Sequence, residues 1–408
     1  MHPAISVPLA SSGLRDKDIE QIIKVLNSGN LTMGQEVRNF ETQMAKYLGL
    51  KHFVMVNSGS SANLLMVESL LRPTNSRPRL NSGDGVLVPA IAWPTTVWPL
   101  IQLGLKPVFV DINPDTLALD LESAKILIDS SKDSIRAMFP IHPLGLALSH
   151  KELLTFAEDN NLILISDVCE SLGSWTGGRH AGVSSLASSF SFYFSHHITT
   201  MEGGGVATDD DELADDLKSM RSHGWSRDRS DAADWAGSST ATDAKFLFVS
   251  TGYNVRPMEI QAAVGSSQLS SLDIFVSRRR WIARKVHEAL AETSMSVIGH
   301  EHSLDNNDRP SHSWMLIPIR VSGSNFRLKR ERILASLNAA GIETRPVLTG
   351  NFVAQPAVQR ILGDSLSPDA FPQATAISQS TFLVGAHHDL TDDQVEYLCN
   401  SLVSAEND

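Results

Sequence analysis

Short apolar runs alternate with helix-length segments through the first half of the chain. The runs are almost continuously apolar, as in PVFV and LILIS. This is typical of parallel strands, which are buried on both faces and need helical crossovers between them. The pattern predicts an α/β fold with a mostly parallel central sheet. Its predicted strands are His52–Val56, Gly85–Val88, Pro107–Val110, Ala137–Ile141, Leu162–Ser166, Ser188–Tyr193 and Val206–Thr208.

Two segments of the chain show helical periodicity, one near its start and one that begins the second part of the predicted fold. Apolar residues recur at helical spacing over residues 16–26, and Gly29 ends that pattern. From Pro257 a long helical stretch replaces the alternation of strands and helices. We therefore expect a large domain over residues 1–256 and a smaller α+β domain over residues 257–408. The smaller domain has a predicted strand Trp314–Val321 and predicted helices Lys329–Ala340 and Thr391–Val403.

Three other segments are predicted to lie at the surface. Residues 227–242 are rich in Asp, Ser, Ala and Gly, which is typical of a long loop. Residues 300–311 have similar character and are a second predicted loop. The basic run 278–280 falls within a helical pattern, and we expect it to be a solvated helix face with no binding role.

The composition is that of a globular enzyme in a reducing compartment. With 408 residues and a formal net charge of −12, the chain is large and acidic, which disfavours binding to nucleic acid or anionic lipid. Its two cysteines are too few for an all-cysteine iron–sulfur cluster. No signal peptide or membrane-spanning run is recognisable, so we expect a cytoplasmic protein.

A serine- and glycine-rich segment, NSGSSAN at residues 57–63, follows the first predicted strand and precedes a helical pattern. Amides and hydroxyls at a helix start form a good cradle for an anion. An ordinary helix cap uses the same residue types and is about as probable from this segment alone. No GxxxxGK[ST] motif and no strand-linked GxGxxG motif is present, which favours a smaller phosphate over a nucleotide loop.

Two carboxylates follow another predicted strand. Asp167 and Glu170 come directly after LILIS, at the edge of a parallel sheet where ligands usually bind. A helix cap at Asp167 is an equally good interpretation of this segment alone.

A histidine pair, His196 and His197, lies between an aromatic strand and a glycine run. No neighbouring His or Cys completes a zinc site at the usual spacing, so a metal is disfavoured. Two adjacent imidazoles among many hydroxyls are too polar for an ordinary core, and a functional role is favoured.

The order of these segments resembles a known family. Together NSGSSAN, PAIAWPTT, SDVCESLGS, SFSFYFSHHITTMEGGGVAT and GYNVRPMEIQAAVG look like the DegT-type sugar aminotransferases, which use pyridoxal 5′-phosphate (PLP) and have the aspartate-aminotransferase fold, PLP fold type I. The likeness spans most of the chain. In that family a lysine holds the cofactor covalently, whereas this sequence has His196 at the matching position. In having histidine instead of lysine, the sequence is similar to the sugar 3-dehydratases within that family, particularly those of colitose biosynthesis, which act on GDP-4-keto-6-deoxymannose.

The resemblance implies a role for each matching position. Asp167 would contact the ring nitrogen of the cofactor, and Glu170 would lie near the ring oxygen, where aminotransferases usually have Gln. Trp93 would stack on the ring, although core packing is an alternative for a tryptophan in this context. The remaining matches would bind phosphate, with Gly59, Ser60 and Ser191 in the same chain and Asn254 in a neighbouring subunit, so a homodimer is implied.

The implied activity is removal of the C3 hydroxyl from a nucleotide-linked 4-keto-6-deoxyhexose. PLP, or its amine form pyridoxamine 5′-phosphate (PMP), would be bound noncovalently, with L-glutamate regenerating PMP and no iron–sulfur cluster. His196 would be the general base, with His197 as its rival. His223 and Arg345 are candidate contacts for the sugar or the glutamate carboxylate; a helix cap and a surface arginine are about equally good interpretations. The nucleotide stays open, and a sugar 4-aminotransferase and a non-catalytic cofactor-binding regulator remain alternatives.

Overall fold

The computed structural model describes residues 5–11, 13–74, 77–131, 134–238, 243–303, 309–363 and 366–407. Its strands are β1 (His52–Val56), β2 (Gly85–Pro89), β3 (Lys106–Val110), β4 (Ile135–Met138), β5 (Ile163–Asp167), β6 (Trp175–Thr176), β7 (Arg179–His180), β8 (Ala187–Ser191), β9 (Gly204–Thr208), β10 (Met295–Val297), β11 (Leu316–Val321) and β12 (Thr381–Gly385).

The helices lie between these strands and at both ends of the described chain. They are α1 (Asp16–Ser28), α2 (Gln35–Leu48), α3 (Gly59–Ser69), α4 (Pro94–Gln102), α5 (Leu121–Ser130), α6 (His150–Asp159), α7 (Asp211–Met220), α8 (Ala232–Ser238), α9 (Glu259–Leu269), α10 (Leu272–Ala289), α11 (Phe326–Ala339), α12 (Pro356–Leu362), α13 (Pro372–Ser380) and α14 (Asp392–Asn407). Short 3₁₀ turns are Pro143–Gly145, Ala244–Phe246, Glu301–Ser303, Phe352–Ala354 and Pro368–Ala370.

The large sheet has the strand order β1-β9-β8-β5-β4-β2-β3. All pairs from β8 to β3 are parallel, whereas β9 runs antiparallel to both of its neighbours. Helices cover the sheet and bury its apolar side chains, as the near-continuous apolar runs predicted. The predicted α/β fold with a mostly parallel sheet is confirmed.

A second, smaller sheet consists of β10, β11 and β12, all antiparallel. Side chains from this sheet share an apolar core with α10, α11 and α14. The predicted strand Trp314–Val321 is β11, which begins two residues later. Its neighbours β10 and β12 were not recognised in the sequence. The domain boundary at residue 257 stays a prediction, and α9, directly after it, packs against α1 and α2.

Two predicted segments differ from the structure. The single helical stretch after Pro257 is divided into α9 and α10, with a break at Ser270 and Ser271. The loop predicted over residues 227–242 contains α8, so that prediction was wrong for the helical part; residues 239–242 lie outside the described residues. In the other predicted loop, the 3₁₀ turn occupies residues 301–303, and residues 304–308 are not described.

The arginine run of α10 is not a solvated face. Arg279 is 2% exposed, and its guanidinium donates to main-chain carbonyls of Trp314 and Met315. Arg278 is half-buried and forms an ion pair with Asp392. The prediction was wrong because consecutive residues of a helix face different directions, so a run of like charges does not identify an exposed face.

A buried carboxylate joins α9 to the start of α2. Glu259 is 2% exposed and accepts hydrogen bonds from the main-chain amides of Gly34, Glu36 and Val37 at 2.8, 2.9 and 3.0 Å. The first amides of a helix have no partner within the helix, and its N-terminus favours negative charge. Glu259 therefore caps α2 from a distant part of the chain.

We expect Glu259→Ala to lower the free energy of unfolding by about 3 kcal/mol, because it leaves charge-assisted hydrogen bonds unmade and the amides of α2 buried without a partner. The urea midpoint of the variant measures the effect. Glu292→Ala, at an exposed position, is the control. Equal midpoints for the two variants would contradict the capping role.

Candidate active site

A cavity of about 610 Å³ opens at the carboxyl edge of the parallel strands. Asp167 ends β5 and Ser191 ends β8, and both line the cavity next to the start of α3. Met315 and Leu316, at the start of β11 in the smaller sheet, also line the cavity. Crevices of this kind are where open α/β sheets bind ligands. Of the predicted site residues, those that meet here are Gly59, Ser60, Trp93, Asp167, Glu170, Ser191, His196 and Arg345.

The N-terminus of α3 faces this cavity. Ser58 is its N-cap, and the Ser58 hydroxyl accepts a hydrogen bond from the Ser61 amide at 3.1 Å. A Cβ added at Gly59 would lie 2.6 Å from Cβ of Ser191, so only glycine lets α3 approach the end of β8 this closely. The helix-cap interpretation is therefore confirmed, whereas the anion cradle stays a prediction, which a capped helix start permits because its next amides remain available to an anion.

The Asp167 carboxylate is buried and accepts hydrogen bonds from side chains of two helices, α3 and α4. Its Oδ2 accepts from Asn63 Nδ2 at 2.9 Å and from Thr96 Oγ1 at 2.8 Å. Its Oδ1 accepts from the Cys169 amide at 3.0 Å. With 4% exposure, the carboxylate has a fixed orientation at the cavity wall. It can accept a further hydrogen bond from a ligand.

Glu170 is 8% exposed, and its Oε2 accepts a hydrogen bond from the Leu144 amide at 2.9 Å. Burial raises the pKa of Glu170 to about 7, although the Leu144 amide and the positive charge of Arg345 act in the opposite direction. Its carboxyl can therefore exchange a proton near neutral pH. Burial, followed by the charge of Asp167, also raises the pKa of the nearby Cys169 thiol, which stays protonated.

Trp93 immediately precedes α4 and is 49% exposed, with its indole lining the cavity. Core packing, the alternative for this residue, is therefore wrong. An exposed indole at a cavity wall offers a flat apolar face for a ring. Thr96 in the first buried turn of α4 fixes this helix to Asp167, which holds the position of Trp93.

His196 lies in the turn that follows β8 and lines the cavity. Burial, helped by the positive charges of Arg345 and Arg279, lowers its pKa to about 3. The imidazole is therefore neutral at ordinary pH. His197 is 0% exposed and does not line this cavity. The position of the two rings favours His196 over His197 as the residue that meets a ligand.

Arg345 lies beside the smaller sheet. Its main chain pairs with Leu383 of β12, and its side chain lines the cavity with a buried Nε that has no hydrogen-bond partner. It is not the surface arginine of the alternative interpretation. A guanidinium with an unused donor can bind a carboxylate through parallel hydrogen bonds.

Two predicted site residues lie outside this cavity. His223 has a φ of 64° and is exposed beyond the end of α7. Asn254 is also exposed, and its side-chain oxygen accepts from Arg256 Nε at 3.0 Å. Neither residue lines the cavity of its own chain, so their roles in binding stay predictions.

Sequence reasoning missed the residues that support the site from behind. Thr96 belongs to the quoted PAIAWPTT motif, but only the fold shows that it contacts Asp167. Gln268 of α9 accepts from the Thr199 amide at 2.8 Å, and Gln261 donates to the Glu202 carbonyl at 2.6 Å. These glutamines hold the segment after His196. Their spacing within QAAVGSSQ is a helical signal, without any indication of the partner.

Neither a membrane span nor a metal centre emerges from the described part of the chain. No helix there has both the length and the apolar character that crossing a bilayer requires. No group of three or more His, Cys, Asp or Glu side chains within the described ranges is arranged to hold a metal ion. That the protein functions without a metal ion stays a prediction.

Comparisons with known proteins agree with these features. A model of the DegT/DnrJ/EryC1/StrS aminotransferase family matches residues 13–403. GDP-4-keto-6-deoxy-D-mannose 3-dehydratase from Escherichia coli O55:H7 (strain CB9615 / EPEC) is 36% identical over 402 residues, which are 97% of this chain and 98% of the relative.

Solved structures show the same fold. The E. coli GDP-4-keto-6-deoxy-D-mannose-3-dehydratase with bound hydrated PLP is 36% identical with a TM-score of 0.86, covering 98% of this chain and 99% of that one. A crystal structure of GDP-4-keto-6-deoxymannose-3-dehydratase with a trapped PLP–glutamate geminal diamine is 35% identical with a TM-score of 0.84, covering 97% and 100%. The chain therefore belongs to the DegT/DnrJ/EryC1/StrS aminotransferase family, whose members are PLP-dependent enzymes of sugar metabolism.

Proposed function

We propose that this protein is a PLP- and PMP-dependent 3-dehydratase of a nucleotide-linked 4-keto-6-deoxyhexose. The observation that carries the proposal is His196 in the cavity, at the position where the family has its cofactor-binding lysine. No lysine occurs among the described residues that line this cavity. A cofactor bound there would be held without a covalent bond. GDP-4-keto-6-deoxymannose, the substrate named for the 36% identical relative, is the first compound to test.

The cavity residues fit this cofactor. The start of α3 with Gly59, Ser60 and Ser191 would bind its phosphate, and Trp93 would cover one face of its ring. Asp167 would accept from the protonated ring nitrogen, since its carboxylate is buried and held by Asn63 and Thr96. When bound, the PMP form supplies an amine for the C4 ketone of the sugar and an electron sink for loss of the C3 hydroxyl.

His196 would move the proton. Its neutral imidazole can act as general base toward a carbon acid presented in the cavity and can later return the proton to the leaving hydroxyl. An imidazole does not form a stable imine with an aldehyde, whereas a lysine does. Without a lysine to take the cofactor back, the amine would not be left on the sugar as it is by an aminotransferase, and hydrolysis would release ammonia and a 3-deoxy sugar. Glu170, with its raised pKa, would carry the proton at the ring oxygen.

L-Glutamate would regenerate PMP in the same cavity. Arg345 would bind a glutamate carboxylate, because its guanidinium lines the cavity and its buried Nε has no partner. The PLP–glutamate geminal diamine trapped in the 35% identical structure supports this amino donor.

A homodimer would complete the site. Asn254 and His223 are exposed, and main-chain bridges join Ser222 to Asn254 and Trp225 to Phe248 in the same region. Phe246 and Phe248 are 64% and 54% exposed. Trp225 stacks on Phe246 with 5.7 Å between ring centroids. Large exposed aromatic side chains are typical of protein interfaces. We propose that this aromatic surface contacts a second copy of the chain. The contact would bring Asn254 to the cofactor phosphate, and His223 to the substrate, in the cavity of that second copy.

We expect the protein, loaded with PMP and mixed with GDP-4-keto-6-deoxymannose, to release one ammonia for each sugar that loses its C3 hydroxyl. Mass spectrometry of the sugar and an ammonia assay measure the two products. Retention of nitrogen in the sugar would instead identify an aminotransferase. Neither product, from protein that binds PMP, would leave the non-catalytic regulator as the function.

We expect His196→Asn to lower the dehydration rate by about 10³-fold while PMP binding is retained, because the amide cannot accept a proton near neutral pH. His197→Asn is the matched variant and should keep most of the activity, since His197 does not reach the cavity. Rapid-quench measurement of ammonia and fluorescence titration of PMP separate catalysis from binding. Equal losses in the two variants would contradict the assignment.

We expect borohydride treatment of the PLP-loaded protein to leave the mass of the chain unchanged, because no lysine in the described cavity wall can hold the cofactor. His196→Lys is the positive control, in which reduction should add the mass of the cofactor. Intact-protein mass spectrometry reads both results. A mass increase in the unmodified sequence would contradict noncovalent binding.

A further inference from the structure

A second, much smaller cavity lies behind His196. It is bordered by the N-terminal segment at Ala10 and Ser11, by the His196 turn, by Arg279 of α10, and by His388 after β12. The volume of this cavity is about 10 Å³, which is about the space that one water molecule needs. Its wall is polar, which is the condition under which a buried cavity is hydrated.

Eight buried polar atoms on residues that border this cavity have no hydrogen-bond partner among the described residues. They are Nδ1 of His196, Nε of Arg279 and both ring nitrogens of His197, His387 and His388. The Nε2 of His388 forms no hydrogen bond but lies 3.5 Å from Asp389 Oδ1, so a proton on Nε2 would face that carboxylate and leave Nδ1 as an acceptor. Burying such atoms without partners is costly, so a shared partner is expected.

Arg279 is fixed by main-chain contacts on both sides of the site. One terminal nitrogen donates to the carbonyls of Trp314 and Met315 at 3.2 and 3.0 Å, and the other donates to the His196 carbonyl at 3.2 Å. The buried Nε of Arg279 forms no hydrogen bond with the described residues. The guanidinium thus ties α10 to the turn that carries the proposed base and borders the small cavity with an unpaired donor.

The proposed base role of His196 requires one particular tautomer. Of its two ring nitrogens only Nδ1 is buried without a partner, so Nε2 is the nitrogen available to the large cavity. For Nε2 to accept a proton, Nδ1 must carry a hydrogen and donate it. Arg279 is only a donor and cannot accept that bond. A water molecule can, because it has two acceptor sites and two donors.

We propose that this cavity binds one water molecule that accepts from Nδ1–H of His196 and Nε–H of Arg279 and donates to Nδ1 of His388. The water fixes the imidazole tautomer with Nε2 facing the large cavity as the proton acceptor. Arg279 and His388 are then positioning residues. The inference deepens the proposed function and rests on His196 being its general base.

Two positive charges near His196 help to keep its imidazole neutral. Arg279 faces it from α10, Arg345 faces it from the segment paired with β12, and both lower its pKa together with burial. The ring of Tyr193 lies 6.2 Å away, and Asp167, Glu170, Glu202 and Glu343 line the same large cavity. A base must be neutral to work, so activity is lost as pH falls through the pKa of His196. Removal of a neighbouring positive charge raises that pKa and moves the loss to higher pH.

A crystal structure at atomic resolution tests the water directly. We expect one ordered water within hydrogen-bond distance of His196 Nδ1, Arg279 Nε and His388 Nδ1. Nitrogen-15 NMR of histidine-labelled protein, assigned with His196→Asn, should show Nδ1 protonated and Nε2 unprotonated. A dry cavity, or the opposite tautomer, overturns the proposal. Neither measurement needs turnover, so its failure is distinguishable from failure of the dehydratase assignment.

We expect Arg279→Met to move the acid limb of kcat/KM for ammonia release upward by about one pH unit. Arg279→Lys keeps the charge and should leave the limb in place while lowering the rate, because an ammonium cannot reproduce the fork of hydrogen bonds. Arg278→Met, one residue away and facing Asp392, is the control and should match the unmodified protein. A lower rate with an unmoved acid limb in Arg279→Met would show a merely structural role and overturn the proposal.

A variant that removes the acceptor keeps the test independent of Arg279. We expect His388→Phe to retain the ring stacked on Phe275, where the centroids are now 3.6 Å apart, and to lose the water's acceptor. The His196 tautomer measured by NMR should then shift toward protonation on Nε2. An unchanged tautomer overturns the proposal.

Discussion

The site depends on one buried carboxylate and the donors that satisfy it. Asp167 stands at the end of a central parallel strand, where burial would be costly without hydrogen bonds. Asn63 from α3 and Thr96 from α4 both donate to the same oxygen. Because α3 carries the amides that we propose bind phosphate and α4 follows Trp93, satisfying this carboxylate also sets the distance between the predicted phosphate and ring contacts. The polar requirement of one side chain thereby orders three separate strand–helix units.

A second layer of contacts fixes the turn that carries His196. Gln268 and Gln261 from α9 hold the main chain just after this turn, and Arg279 from α10 holds the His196 carbonyl. Glu259 fixes α9 itself to the start of α2. The histidine is thus positioned through its backbone from helices that follow the large sheet in sequence. Its Nδ1 forms no hydrogen bond with the described residues, and the side chain is therefore available for the proposed proton exchange.

The parts of the structure that are local in sequence were predictable. Parallel strands have a continuous apolar pattern, and the segments around Gly59, Asp167 and His196 follow such strands directly. The contacts that join distant segments were not predictable, because no local pattern shows that Thr96 reaches Asp167. The run of arginines in α10 is the clearest example, since only tertiary packing decides that Arg279 points inward. β12 was also missed, because a short apolar strand beside a helix has no periodicity of its own.

Glu170 and His196 share one cavity, and their pKa values are shifted in opposite directions from a similar cause. Burial disfavours the charged form of each, which raises the pKa of the acid to about 7 and lowers that of the base to about 3. Between these values the carboxyl is protonated and the imidazole is neutral, so the pair consists of an acid that can donate and a base that can accept. Ionising either side chain therefore lowers the free energy of unfolding. The histidine contribution to stability is lost as pH falls below its unfolded pKa, and the glutamate contribution is lost as pH rises toward 7. By burying both side chains, the fold places a proton donor and a proton acceptor in one cavity. The proposed acid–base chemistry on a sugar needs this arrangement.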